Sequence, residues 1–154
     1  MSVYYHDSSA LIKHYHTEIG TATVDSILGE ANAIHFISRL SGVEVPSAFA
    51  KKVRTLEITA ANFQQLYQRF LADMTNQQYR VVRLLVRHFQ TAEELIQKHG
   101  LARSIRTLDA IQLAVAIDME GRHGIDRFVC ADANLCEIAS AEGFTVINPA
   151  ATPP

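Results

Sequence analysis

No apolar run in the 154-residue sequence approaches the roughly 20 residues that a membrane-spanning helix requires. The N-terminus also lacks the basic segment, apolar core and small-residue cleavage site that together form a signal peptide. Without a membrane segment or an export signal, the chain is expected to reside in the cytoplasm.

Cysteine is scarce, and Cys130 and Cys136 are the only two. Their spacing matches neither a CxxC redox pair nor a zinc site. A small secreted domain would normally carry more cysteines, paired in disulfides. We therefore expect both residues to be small, reduced members of the core.

The chain also lacks a strong excess of charge, since its formal net charge is −2 at pH 7. Any binding of a polyanion must therefore depend on local basic patches rather than on the overall field. With 48% hydrophobic and 19% charged residues, the composition is that of a globular protein. The length fits one domain with a sizeable core.

Strand-type apolar runs alternate with helical patterns along the sequence. The predicted strands cover residues 3–6, 33–37, the first half of 79–86, 127–131 and 145–147. The predicted helices cover residues 8–16, 21–28, 41–56, 60–74, 91–99, 107–117 and 134–141. This alternation predicts a three-layer α/β/α fold, in which helices cover both faces of a mainly parallel sheet. One domain is predicted over residues 1–148, followed by a frayed tail at 149–154.

Three of the predicted helices carry more specific signals. Ser41-Gly42-Val43-Glu44 has the Ser-x-x-Glu form of a capping box. The helix from Thr107 is apolar nearly all round, so it should be covered on most sides. The helix at 60–74 carries a stripe that predicts core packing or, alternatively, a groove for a partner helix. The members of this stripe are Phe63, Leu66, Tyr67, Phe70 and Leu71.

Four acids stand at matching points of the pattern. Asp7 ends the first strand and Asp132 ends the fourth, while Glu44 and Asp109 lie in the first turns of helices. Helix N-termini and strand C-termini share one edge of a parallel α/β sheet, so the acids should share the edge where such folds bind ligands. Any one of them could instead cap a helix or face its dipole. A partly buried Asp109 before so apolar a helix would nevertheless be costly without a partner.

Carboxylates that lie close together repel, and this raises their pKa values and costs stability unless a cation neutralises them. Oxygen ligands of this kind suit Mg²⁺ or Mn²⁺. Such an ion can activate water and stabilise charge on a phosphoryl group. Ser8 and Ser9 are expected to support this site rather than act as nucleophiles, because no histidine or lysine is spaced for a serine triad.

The acids fall within segments that resemble successive motifs of the PIN-domain nucleases, and the chain is most similar to the VapC-like toxins of bacterial type II toxin–antitoxin pairs. The set occurs in order over almost the whole chain. The segments are Asp7-Ser8-Ser9-Ala10-Leu11-x-Lys13, Val43-Glu44-x-x-Ser47-Ala48, Arg106-Thr107-Leu108-Asp109-Ala110-Ile111-Gln112-Leu113-Ala114, Phe128-Val129-Cys130-Ala131-Asp132-x-Asn134-Leu135 and Glu142-Gly143-Phe144-x-Val146-Ile147-Asn148-Pro149.

The resemblance implies an endoribonuclease that depends on Mg²⁺ or Mn²⁺ and cuts RNA phosphodiester bonds with a metal-activated water. It also implies a small cognate antitoxin as partner and a homodimer. The residues it marks as catalytic and metal-binding are Asp7, Glu44, Asp109 and Asp132, with Ser8, Ser9 and Asn134 in support. The alternative is a weakly active or inactive PIN-like module that binds RNA or protein.

Two positions depart from the pattern of the family. Many members have Thr or Ser where this chain has Cys130, and often a further Asp where it has Asn134. Loss of that hydroxyl and that charge bears on metal affinity and on a second metal position, and it keeps the inactive alternative open.

Four basic residues are candidates for binding RNA phosphates. Arg103 and Arg106 lead directly into Asp109, while Lys13 and Arg39 flank the predicted edge. The alternative is that they are ordinary solvated side chains, with an ion pair to the acids.

Overall fold

A computed structural model describes residues 1–151. The strands are β1 (Val3–His6), β2 (Ile34–Ser38), β3 (Arg80–Val82), β4 (Arg127–Val129) and β5 (Val146–Ile147). The helices are α1 (Ser8–Tyr15), α2 (Thr21–Leu28), α3 (Ser41–Arg54), α4 (Ala60–Thr75), α5 (Val86–His99), α6 (Thr107–His123) and α7 (Ala133–Ala141).

The strands form one sheet in the order β3-β2-β1-β4-β5, and every neighbouring pair is parallel. Central strand β1 is buried at all its positions, which explains its continuous apolar and aromatic sequence. Chain order reverses beside β1, with β2 and β3 on one side and β4 and β5 on the other. Sheets of this class bind ligands at such a switch point.

Helices cover both faces of the sheet, so the predicted three-layer α/β/α fold is confirmed. On one face, α5, α6 and α7 enclose a core that includes Tyr5 and Phe128. On the other face, α1 to α4 enclose a second core around Leu11, Phe49 and Phe70. Helix α6 is buried on most sides, as its nearly uniform apolar sequence predicts.

The predicted stripe on α4 packs mainly into the core. Phe70 is fully buried, and Phe63, Leu66 and Tyr67 pack against the second core. Leu71 is 40% exposed and points away from it. The core interpretation is therefore confirmed for every member of the stripe except Leu71.

Both thiols are reduced, as predicted. Cys130 is buried in the first core, and half-buried Cys136 packs against that core.

Two helix starts differ from the predictions. Helix α5 begins at Val86 rather than Thr91, because the His88 Nδ1 atom accepts a hydrogen bond from the Leu85 amide at 3.0 Å. The capping box predicted at Ser41 is wrong, since Leu40 holds the N-cap position without a side-chain cap. Ser41 is buried within α3, where its hydroxyl meets other polar side chains instead of the helix amides.

The segment after β5 packs on the domain at Pro149, which is buried. Gly20 has a φ of 96°, and a Cβ there would lie 2.5 Å from the Pro149 carbonyl oxygen, so only glycine fits this contact. Residues 152–154 of the predicted frayed tail lie outside the described residues. Within residues 1–151, no helix is both long enough and apolar enough to cross a membrane.

Candidate functional site

A cleft of about 390 Å³ opens at the C-terminal edge of the sheet, and all four predicted acids line it. Asp7 follows β1 and Asp132 follows β4, while Glu44 and Asp109 lie in the first turns of α3 and α6. The parallel sheet thus brings together carboxylates that are far apart in sequence. The predicted common edge is what the structure shows, and the chemical roles of the four acids stay a prediction.

Asp7 is the most deeply placed of these acids, with an exposed fraction of 4%. It caps α1, and its Oδ2 atom accepts hydrogen bonds from the Ser9 amide at 2.9 Å and the Ser9 hydroxyl at 2.5 Å. Burial raises the pKa of Asp7 to about 6; the Ser9 bonds oppose this rise, and the charges of Glu44 and Asp109 add to it. An ionised Asp7 is therefore costly unless a cation lies nearby.

Glu44 is held by a buried amide that sequence reasoning missed. Gln112 on α6 is fully buried, and its Nε2 atom donates to the Glu44 Oε1 atom at 2.6 Å. The Gln112 Oε1 atom accepts from the Tyr5 hydroxyl at 2.7 Å, which fixes the amide orientation. Nε2 also lies 3.0 Å from the Ser8 Oγ atom and 3.2 Å from the Ser41 Oγ atom. We call Tyr5, Ser8, Ser41, Glu44 and Gln112 the Gln112 network.

Arg106 closes the other side of the cleft. Its Nε atom donates to Asp109 and its Nη2 atom donates to Asp132, each at 3.1 Å. The Arg106 side chain is 73% exposed, so this bridge lies at the mouth of the cleft. Asp132 also caps α7 by accepting from the Leu135 amide at 3.0 Å. Asp7 and Asp132 therefore cap helices, as the alternative interpretation predicted, and they also line the cleft.

Among residues 1–151, no group of three His, Cys, Asp or Glu side chains is arranged to hold a metal ion. The contacts of the acids supply a reason. Glu44 is engaged by Gln112, and the Arg106 guanidinium lies between Asp109 and Asp132. The donor set nevertheless fits a hard divalent ion in kind, because it consists of carboxylate oxygens that include one with a raised pKa.

The two departures from the family pattern lie in different surroundings. The Cys130 Sγ atom is 3.9 Å from the Asp7 Oδ2 atom and accepts from the Asp132 amide at 3.4 Å, so a weakly polar thiol lies between two acids. Ser9 adds a second link, because its hydroxyl accepts from the Ala131 amide at 3.0 Å. Asn134 is exposed and is not part of the cleft lining.

Of the four basic residues predicted from sequence, the structure brings only Arg106 to the cleft. The Lys13 Nζ atom pairs with Glu18 at 3.3 Å, and Arg103 pairs with Glu137 at 3.9 Å. Arg39 is exposed outside the lining of the cleft. The positions of Lys13, Arg39 and Arg103 therefore give no support to their predicted contact with substrate.

Two cations that line the cleft, Lys51 and Arg54 on α3, escaped the sequence analysis. Their positions follow Glu44 at helical spacing, through Ser47 and Ala48, which also line the cleft. Residues seven apart lie on one face of a helix, so this signal was available in the sequence. Gln112 left a weaker signal, as a polar residue in an otherwise apolar helix, three positions after Asp109.

Comparison with known proteins gives one family match and several structural neighbours. The PIN domain family model matches residues 4–141. No curated protein matches the sequence.

Three solved structures of similar fold have low sequence identity to this chain. VapC20 of Mycobacterium tuberculosis, described as a toxin that cleaves the sarcin-ricin loop, is 17% identical with a TM-score of 0.67, over 95% of this chain and 99% of that one. VapBC2 of Rickettsia felis, bound to a DNA fragment from its promoter, is 14% identical with a TM-score of 0.65, over 95% and 98%. A toxin–antitoxin complex from Klebsiella pneumoniae is 15% identical with a TM-score of 0.59, over 97% and 98%.

Proposed function

Because the chain belongs to the PIN domain family, we propose that it is a Mg²⁺- or Mn²⁺-dependent endoribonuclease that acts as the toxin of a type II toxin–antitoxin pair. The observation that carries the proposal is the cleft beside β1, where four elements each contribute one carboxylate. Similar folds in an RNA-cleaving toxin and in two toxin–antitoxin assemblies support the toxin part.

Asp7, Glu44, Asp109 and Asp132 would hold the divalent ion. When bound, the ion would activate water for attack on a phosphodiester and stabilise charge in the transition state. Within the chain, Ser9 fixes the Asp7 carboxylate through two hydrogen bonds. The buried Gln112 amide orients Glu44, and Ser8 adds a hydrogen bond at 3.0 Å to the same oxygen. These supports keep the acids in place as substrate enters.

Arg106 has a double role in this proposal. In the absence of a divalent ion, its guanidinium partly neutralises Asp109 and Asp132. Once it leaves these carboxylates, the exposed side chain can turn to the phosphate of the substrate, for which the guanidinium fork is well suited. The expected partners are therefore an RNA substrate and, because of the toxin proposal, a small antitoxin and a second copy of this chain. The cytoplasm is the compartment in which we place this reaction.

Incubation of purified protein with single-stranded RNA should give cleavage with Mg²⁺ or Mn²⁺ and none with excess EDTA. The readout is the size distribution of labelled RNA on a denaturing gel, and adding back Mn²⁺ after EDTA should restore cutting. Cutting that persists in EDTA would contradict the metal-dependent mechanism.

A second candidate function is a PIN-like module that binds RNA or protein without cutting. It is favoured by the Cys130 thiol, which lies 3.9 Å from the Asp7 Oδ2 atom at a position where the family resemblance implies a hydroxyl. RNA binding without cleavage under every metal condition would establish this alternative. The toxin role itself is tested by expression, which should arrest growth unless a cognate antitoxin is co-expressed.

Arg106→Ala should raise the affinity for Mn²⁺ about three- to tenfold, because the ion no longer displaces two exposed ion pairs, each worth up to about 1 kcal/mol. Isothermal titration with Mn²⁺ and no RNA measures this directly. Arg103→Ala is the matched control, since Arg103 pairs with Glu137 away from the cleft. Weaker Mn²⁺ binding by the Arg106 variant would show that the guanidinium does not compete with the ion.

A further inference from the structure

From the cations along α3 we infer that Lys51 and Arg54 form a phosphate-binding track, which holds the single-stranded RNA that flanks the cut site. This inference rests on the proposed function and names the part of the substrate that the cleft grips. Both residues line the same cleft as the acids, and both are exposed at its α3 wall.

The charges of Lys51 and Arg54 remain available to a ligand. Neither forms an ion pair with any acid among residues 1–151, whereas neighbouring Lys52 pairs with Glu18 at 3.4 Å and Glu57 at 3.2 Å. Lys52 is also not part of the cleft lining. Of these two adjacent lysines on α3, Lys52 is paired with acids of the domain, whereas Lys51 lines the cleft beside the four acids.

The spacing along α3 suits several nucleotides rather than one. Lys51 lies seven residues beyond Glu44 and Arg54 lies ten beyond it, which places them about 10 Å and about 15 Å away along the helix axis. At these separations we expect the cations to contact phosphates next to the scissile one rather than the scissile phosphate itself. A strand whose scissile phosphate lies among the acids would therefore place its neighbouring phosphates along the track.

The depth of the cleft favours a single strand over a duplex. Asp7 is 4% exposed, so a phosphate must enter the cleft to approach it. A strand that can bend away from its neighbours enters more readily than a paired backbone. Val43 and Leu108 also line the cleft and are 65% and 45% exposed, which offers apolar contacts to unpaired bases.

The test measures binding of a fluorescent 12-nucleotide poly-U RNA to Asp7→Asn protein, with and without Lys51→Ala and Arg54→Ala together. We expect the double replacement to weaken binding about tenfold or more near physiological salt. The slope of log affinity against log salt should fall in magnitude by about 0.7 for each RNA phosphate that the protein no longer neutralises. Lys52→Ala, which removes one positive charge at a paired position, should leave both quantities unchanged.

Two further arms separate this inference from the proposed function. In protein with Asp7 intact, the double replacement should raise KM for the 12-nucleotide RNA and leave kcat nearly unchanged, because it removes binding that ground and transition states share. The double replacement should leave the affinity for the dinucleotide UpU unchanged. If protein with all three residues intact cuts RNA but the double replacement binds the 12-mer with undiminished affinity, the track is wrong and the nuclease stands. If the protein with Asp7, Lys51 and Arg54 intact neither cuts nor binds RNA, both the phosphate-binding track and the proposed function are wrong.

Discussion

Asp7→Asn is expected to lower RNA cleavage by at least about a thousandfold, a loss typical of removing a group that acts only with its partners. The change takes one negative charge from the deepest of the four cleft acids. It should leave α1 intact, because Asn and Asp are equally good N-cap residues and the amide oxygen still accepts from Ser9.

The same substitution should raise the free energy of unfolding in metal-free buffer at neutral pH. Folding raises the pKa of Asp7 from its ordinary value of 3.8 to about 6, chiefly by burial. Between these two pH values the folded state binds the proton more tightly, so the stability of the native protein falls as pH rises through this range. The penalty reaches about 3 kcal/mol above pH 6, as an order of magnitude, and Asn does not incur it.

Urea denaturation of both proteins from pH 4 to pH 8 with EDTA checks this expectation. The stability difference should be small near pH 4, grow up to about pH 6 and stay constant above it. Glu94→Gln, at an acid exposed on α5 outside the cleft, controls for the loss of a surface charge. If the stability difference between the two proteins is the same at pH 4 and pH 7, folding does not raise the pKa of Asp7. If the variant cleaves RNA at the native rate, Asp7 is not part of the mechanism.

Gln112→Glu is expected to cost about 3 to 5 kcal/mol of unfolding free energy at pH 7, the range for an uncompensated buried charge. The new carboxylate would lie where the Gln112 amide now donates to Glu44 at 2.6 Å, with both groups in the Gln112 network. Such a loss approaches the whole stability of many single domains. The effect should be smaller at pH 4, where one of the two carboxyls can take up a proton.

Adding Glu44→Gln to the Gln112→Glu variant tests this contact directly. The double variant again has one carboxylate and one amide, with their positions exchanged. We expect the double replacement to recover most of the lost stability, as measured by urea denaturation in a double-mutant cycle. Gln90→Glu on the exposed face of α5 is the control for the same chemical change in water. A loss below about 1 kcal/mol, or no recovery with Glu44→Gln, would mean that the two side chains do not share a buried contact.

Local signals in the sequence predict the positions of the four acids well. Asp7 and Asp132 end apolar strands, Asp109 opens a nearly uniform apolar helix, and the parallel-sheet rule brings these points to one edge. Glu44 reaches that edge as predicted, in the first turn of α3, but the capping box predicted with it is wrong. Ser41 turns inward to the Gln112 network instead of capping α3, so Glu44 lies free of a capping box.

The remaining parts of the site depend on which helix faces meet, and sequence patterns alone do not supply this. Gln112 contacts Glu44 although α6 and α3 cover opposite faces of the sheet, and the Tyr5 hydroxyl on β1 fixes the orientation of its amide. Lys13 is the last residue of the first motif, but its side chain pairs with Glu18 instead of lining the cleft. Closeness in sequence to an acid identified Arg106 as a cation of the cleft, whereas helical phase from Glu44 would also have identified Lys51.

The order of the strands also sets when the cleft is complete during synthesis. Asp7 is synthesised long before its neighbour across the switch point, Asp132, which follows β4. The Asp7 amide donates to the Val129 carbonyl, so β4 must dock on β1 before the two acids share an edge. Because domains tend to fold as units once made, an unfinished chain has no complete acid set. If the proposed nuclease activity requires all four acids, a chain without β4 cannot cut the RNA of the ribosome that is still making it.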